Sequence, residues 1–272
     1  PSPAEEIINK LNEHGYEAYV VGGCVRDMLL GREPGDWDIT TSARPEQVKA
    51  LFRRTIDTGI RCMSWQYLLL HLLGEGLMEE REAAGILESM KEQFASLRKR
   101  YIGKYTLSNW GVLQTASICS GYLWFREYLP SNGTEDWAWQ ELERQIGLQV
   151  LDDGAHWEQS MMYHMEVLLA CMKLLASCRA WVRIENRTEF WRDPDWLSRY
   201  VLFASGPDHL QIAQCDSDVT DVRDVMVKAA VLTGDGRYRY AGYDTADLDS
   251  AWMFGSAGVT GYSAMAGRKP ES

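Results

Sequence analysis

The sequence holds little of what would tie it to a metal framework, a membrane or a polyanion. Its six cysteines, Cys24, Cys62, Cys119, Cys171, Cys178 and Cys215, form no CxxC pair and no other zinc-ligand spacing, so neither a zinc module nor a disulfide scaffold is expected. They read as reduced, buried thiols. No uninterrupted apolar run approaches the roughly 20 residues that span a bilayer, and no basic stretch followed by an apolar one marks a signal peptide. The expectation is a soluble, cytoplasmic protein with no membrane partner. Basic residues are also scarce: Lys+Arg 28 against Asp+Glu 39 leave a formal charge of −11, which argues against nucleic-acid or anionic-membrane binding driven by net charge. No residue-level repeat of fixed period appears, which disfavours a helical-repeat solenoid.

What is present is an ordinary globular composition. With 272 residues, 46% hydrophobic and 25% charged, the chain can form one large domain or two ordinary ones. Its texture changes near residue 55. Of eleven tryptophans only Trp37 precedes residue 60, and long helical patterns begin there as well.

The opening segment reads as α/β. Ser2, Pro3 and Glu5 form a helix-start signal, and the helix should run to about His14, where Gly15 ends it. Glu17 to Val21 reads as a short strand. Gly22-Gly23, a short helix through Leu30, a turn over Gly31 to Gly35 and a strand over Asp36 to Thr41 follow, then a helix over Pro45 to Phe52. The further strands that such a start calls for do not arrive. Beyond Arg61, apolar residues recur every three or four positions over Met63–Leu73, Met78–Tyr101, Asn109–Tyr122, Glu135–Leu151, Ser160–Cys178, Asp195–Ala204 and Asp221–Leu232. Helices joined by short loops suggest stacked αα hairpins, in an arc or toroid.

Two groups of residues carry chemistry. In the first, Asp36 and Asp38 lie two apart on one strand, so both carboxylates share a face at about 6.5–7 Å and suit a divalent metal. Gly22 and Gly23 end the preceding strand and let backbone N–H groups approach a triphosphate, the following helix adds its positive end, and Arg26 can pair with a phosphate oxygen. The string from Val21 through Gly22, Gly23, Arg26, Asp27 and Gly31 to Asp36, Trp37 and Asp38 closely resembles the first motif of bacterial tRNA CCA-adding nucleotidyltransferases and the related poly(A) polymerases. The resemblance covers residues 3–58. It implies that Asp36 and Asp38 hold Mg²⁺, that Gly22, Gly23, Arg26 and Asp27 bind nucleotide, and that the partners are a nucleoside triphosphate and tRNA. The family's third carboxylate, its later arginine-rich motif and its basic helical region do not follow, so no nucleotide transfer is expected from this chain alone.

The second group lies between Leu151 and His164, where two histidines, a tyrosine and three acids fall within fourteen residues. His156 and His164 lack metal-helix spacing, which makes zinc a poor reading, and Tyr163 and His164 equally suit a partly buried, hydrogen-bonded position in an amphipathic helix. The stretch from Asp153 to His164, with Thr106 to Gly111 upstream and Cys215 to Asp224 downstream, resembles the helical domain of heparinase II/III-type polysaccharide lyases over residues 55–272. That resemblance implies β-elimination at a uronic acid, without cofactor. Asn109 would neutralise the substrate carboxylate, Tyr163 and His164 would act on the sugar, and His156, Trp110, Trp157 and Glu158 would bind an acidic polysaccharide or oligosaccharide.

The expected protein is therefore mainly α: an incomplete (α/α) toroid of helical hairpins over residues 59–272, without its following β-sandwich, preceded by a small α/β nucleotidyltransferase-like fragment over residues 1–58. A lyase-like helical module, weak or inactive, is the leading functional reading. A CCA-adding nucleotidyltransferase fragment and a non-catalytic carbohydrate-binding or scaffold protein are the alternatives.

Overall fold

The computed structural model describes residues 3–32, 34, 37–45, 47–48, 55–180 and 195–270. The chain divides into two compact units, Pro1–Arg54 and Thr55–Ser272.

The first unit opens with helix α1 (Pro3–Glu13). Ala4 and Leu11 are buried and Ile8 is half-buried, a stripe at i, i+4 and i+7 that gives the helix one inward face. Gly15 ends it at φ +81°. The Gly15 amide reaches the Asn12 carbonyl at 2.9 Å and the Tyr16 amide the Leu11 carbonyl at 3.0 Å, a paired closure that relies on a left-handed residue. The start signal at Ser2 lies outside the described residues, as does much of the helix expected over Pro45 to Phe52. Strand β1 (Ala18–Val21) pairs antiparallel with β2 (Asp38–Thr41), and the register sets Ala18 opposite Thr41 and Val21 opposite Asp38. Helix α2 (Gly23–Leu29) lies between them in the chain. A two-stranded sheet is marginal without a covering layer. Tyr19 at 59%, Leu29 at 83% and Leu30 at 59% exposure show how much apolar surface the small unit leaves open.

The second unit is helical among its described residues, as the spacing predicts. Its helices are α3 (Thr55–Gly74), α4 (Glu80–Arg100), α5 (Asn109–Phe125), α6 (Thr134–Gln149), α7 (Met161–Ala180), α8 (Asp195–Ala204), α9 (Arg223–Thr233), α10 (Gly236–Ala241) and α11 (Leu248–Ala264). The last two escape the sequence pattern. Gly255, Gly258 and Gly261 interrupt α11, and Gly255 takes φ +65° at a kink. The helix forms because Asp247 caps its first turn through the Ser250 amide and because Tyr262 and Met253 are buried.

Helix α5 is the centre of this unit. It packs on α3, α6 and α7, and from Asn109 to Tyr122 only Trp110 escapes full burial. No amphipathic stripe exists on such a helix because no face meets solvent. Helix α7 is similarly apolar: Met161–Cys178 is long and apolar enough to cross a membrane by length and composition, and 67% of that stretch is buried inside the protein. The sequence reading, which counted uninterrupted runs, passed over it because Glu166 and Lys173 divide it. No two of the six cysteines form a disulfide. Five are buried, but Cys215 is exposed, against expectation.

Close approach at α5 demands glycine. A Cβ on Gly111 would stand 2.0 Å from the Tyr105 carbonyl oxygen, far inside contact distance. Gly111→Ala should therefore cost about 1–3 kcal/mol through backbone displacement. Gly85→Ala on exposed α4, where a Cβ meets nothing within 4 Å, should gain roughly 0.5–1 kcal/mol instead. Urea melts followed by circular dichroism would show these opposite signs; equal effects would mean that the Gly111 contact carries no weight.

Candidate functional site

In the first unit the ladder brings the end of β1 beside the start of β2. Val21 faces Asp38, and the chain then turns through Gly22 at φ +77°, ψ −145°, a conformation that side chains disfavour. A Cβ on Gly22 would lie 2.7 Å from Oδ2 of Asp38. The glycine thus does two things: it permits the turn and it leaves room for the carboxylate. Helix α2 starts directly after it with no side-chain cap on its first amides, which leaves donors free for an anion. Arg26 folds back toward that helix start, its Nη2 only 3.7 Å from where a Gly23 Cβ would sit. Asp27 holds it there, accepting from Arg26 Nε at 3.0 Å and Nη2 at 2.9 Å. With the Arg26 side chain 69% exposed, the ion pair adds little stability; its effect is on where the guanidinium points.

Asp38 is exposed, and among the described residues no donor or cation engages its carboxylate. A hard, oxygen-seeking cation finds there one suitable, accessible anionic ligand. Asp36 lies outside the described residues. Among those described, no group of three or more His, Cys, Asp or Glu residues could hold a metal ion.

The second group of predicted residues does converge, around the N-terminus of α5. Asn109 is buried, and the Glu158 carboxylate accepts from its backbone amide at 2.9 Å and from its side-chain Nδ2 at 3.1 Å. Gln149 donates through Nε2 to the Thr106 and Ser108 carbonyls at 2.8 and 3.2 Å, which leaves Oε1 to accept from His156 Nε2 at 2.8 Å. The His156 amide donates to His164 Nδ1 at 3.2 Å, so the His164 proton sits on Nε2 and is donated to the Leu197 carbonyl at 3.1 Å. Both rings are 1% exposed. Ser160 caps α7, accepting from the Tyr163 amide at 3.3 Å and donating to the Asp216 carbonyl at 2.9 Å. Tyr163 donates its hydroxyl to the Asp216 carboxylate, and that bond, ahead of desolvation and nearby negative charge, pushes its pKa up to about 12. Trp110 is half-buried and Trp157 is 41% exposed.

Sequence reasoning missed Gln149 and the Leu197 carbonyl, and it named Asp216 only within the downstream stretch from Cys215 to Asp224. A glutamine within a helix gives no signal of the loop it anchors. Among the described residues, His156 Nδ1 is the one ring nitrogen of the pair left without a partner.

Burial pushes both imidazoles down to about 4, with the His164 charge adding to the effect at His156. The unfolded chain takes up these protons near pH 6.5, before the folded one does. This contribution to stability should be complete above pH 6.5 and be lost as pH falls through about 4. Urea midpoints across that range, read beside imidazole resonances, test it. Folded-state resonances titrating near 6.5 would rule it out.

Comparison with known proteins bears on the first unit and the start of α3. A family model described as the Poly A polymerase head domain matches residues 18–71. The CCA-adding enzyme of Geobacillus thermodenitrificans (strain NG80-2) is 66% identical over 53 residues, 20% of this chain and 13% of that protein. Those of Lactococcus lactis subsp. cremoris (strain MG1363) and Limosilactobacillus reuteri (strain DSM 20016) are 60% identical over 57 residues and 57% identical over 58, each covering 21% of this chain and 14% of the relative. The chain thus spans about one seventh of the length of these curated relatives. No solved structure matches. The lyase reading is corrected accordingly: these likenesses point away from elimination at uronic acids and from polysaccharide binding, and toward the CCA-adding alternative.

Proposed function

We propose that the first unit is the nucleotide-binding start of a CCA-adding type nucleotidyltransferase, whose partners are a nucleoside triphosphate with Mg²⁺ and, beyond it, the 3′ end of tRNA. The observation that carries the reading is the seating of the Asp38 carboxylate against Gly22, beside the uncapped start of α2. A glycine that only served the turn would not need a carboxylate at contact distance. The 57–66% identity of this short stretch to CCA-adding enzymes supports the same reading.

Each residue then has a role. Asp38, with Asp36, supplies oxygen ligands for Mg²⁺. The amides at Gly22 and Gly23 receive phosphate oxygens at the positive helix end. Arg26 pairs with the same phosphates, and Asp27 keeps its guanidinium over the helix start until they arrive. In the transfer, a 3′-hydroxyl oxygen gives up its proton to solvent and bonds to the α-phosphorus as the bond to the β-phosphate bridge breaks, and pyrophosphate leaves with its electron pair. Bound Mg²⁺ would make the hydroxyl a better nucleophile and shield the charge gathering on the leaving group. The whole chain's net charge of −11 supplies no general attraction to RNA. For residues 55–272 we infer a partial ring of helical hairpins, supported by the neighbouring pairs α3–α4 and α5–α6, and assign it no activity.

Equilibrium binding of labelled CTP and ATP to the full chain, with and without Mg²⁺, tests the reading. Metal-dependent binding is expected, with Asp38→Ala and Gly22→Ala each weakening it by about tenfold or more, the scale of one lost charge-assisted contact. Binding that ignores both substitutions, or no binding at all, would overturn the proposal. Transfer of labelled CMP or AMP to tRNA is expected to be absent, since the later acidic and arginine-rich motifs of that family do not follow in this sequence.

A further inference from the structure

We infer that Cys24 is a positioning residue for Asp38: its buried thiol clasps the end of the two-stranded ladder and so fixes the carboxylate against the Gly22 turn. The inference rests on the nucleotide-binding reading of this unit and extends it to a residue that never touches the ligand.

The ladder is only four residue pairs long, and a ribbon of that length frays at its ends unless side chains hold them. One end is held by three bonds to a single residue. The Glu17 carbonyl accepts from the Thr41 hydroxyl at 2.8 Å and from the Ser42 amide at 3.0 Å, and the Glu17 amide donates to the Ser42 hydroxyl at 2.9 Å. The other end is where Val21 meets Asp38, and there the chain leaves the sheet at Gly22. Cys24 lies in the first turn of α2 and is 3% exposed. Its Sγ donates to the Val21 carbonyl at 2.9 Å and stands 3.9 Å from the Asp38 carbonyl. One thiol therefore bonds the last carbonyl of β1 and lies beside the first of β2, within 4 Å, and it does so from the helix that follows the Gly22 turn.

Sulfur suits the position. It is large enough to reach toward both carbonyls from one Cβ, and its S–H supplies the one donor that the strand end needs. The consequence for the site is geometric. Mg²⁺ accepts oxygen ligands only near 2.0–2.1 Å, whereas a frayed strand end moves by more than that tolerance. A ladder held at Val21 and Asp38 presents the carboxylate in one place, so the metal does not have to order it.

The test uses the full chain with Mn²⁺ as the probe, its binding read by electron paramagnetic resonance in the presence of CTP, alongside thermal melts and backbone amide exchange. Cys24→Ala removes the thiol, Cys24→Val refills the volume without a donor, and Cys24→Ser restores a donor. We expect Cys24→Ala and Cys24→Val to weaken Mn²⁺ binding by about fivefold and to speed exchange at Asp38 and Ile39, with melting close to that of the unaltered protein, whereas Cys24→Ser stays within about twofold of it; the size corresponds to one weak hydrogen bond. If Asp38→Ala abolishes Mn²⁺ binding while both Cys24→Ala and Cys24→Val bind as the unaltered protein does, the positioning role is wrong and the nucleotide-binding reading stands. If both of those variants fail to fold while Cys24→Ser folds and binds, the thiol is a structural clamp only, and the positioning role is again wrong. An unaltered chain that binds Mn²⁺ no better than Asp38→Ala would remove both readings together.

Discussion

A helix with no face to solvent governs the larger part of this molecule. Every side of α5 is covered, so its polar groups find partners inside the protein or go without. Thr115 and Gln145 bond to each other at 2.7 Å and Ser120 to Ser177 at 3.0 Å, whereas both amide atoms of the buried Gln114 find none among the described residues. The first turn of such a helix is the harder problem, because its free amides are buried as well. Ser108, Glu158 and Gln149 solve it by gathering around Asn109 and the carbonyls just before it. That gathering looks like a catalytic constellation in the sequence because both tasks call for the same residue types: amides, carboxylates and imidazoles held at short range.

The histidines illustrate how burial changes the meaning of a residue. Imidazole attracts functional readings because its ordinary pKa lies near neutrality. His164 instead carries one fixed proton between a backbone donor and a backbone acceptor, and His156 hangs from Gln149. They join the loop before α7 to α6 and to α8. Their chemistry here is that of a neutral hydrogen-bonding ring in a dry site, where charging is costly.

The smaller unit works by a different economy of means. It buries little, and its ladder is short, yet it brings a carboxylate, a glycine turn and an open helix start into one place. Antiparallel register does most of this, since pairing Val21 with Asp38 sets the acid beside the turn that follows β1. The apolar residues left exposed on Tyr19, Leu29 and Leu30 are the other side of that arrangement: a two-stranded sheet has too little neighbouring structure to cover both of its faces.

Much of this architecture was legible in the linear order of residues. Gly15 marked the end of α1, Ser160 the start of α7, and the Asp195–Ala204 helix appeared at its observed limits, because helix periodicity, caps and stop signals act within a few residues of one another. The pair Gly22 and Asp38 was also visible, as members of one motif, although nothing local says that the carboxylate would rest on the glycine. Helices α10 and α11 were not legible, since three glycines hide a helix that burial at Tyr262 and Met253 sustains. Local sequence thus determined where helices and turns begin and which residue types meet in the opening motif. Tertiary structure alone decided which polar groups are shut from water and which of them bond to one another. Those outcomes depend on partners remote in the chain, Asn109 with Glu158 and Tyr163 with Asp216, and no short-range pattern encodes the burial that brings them together.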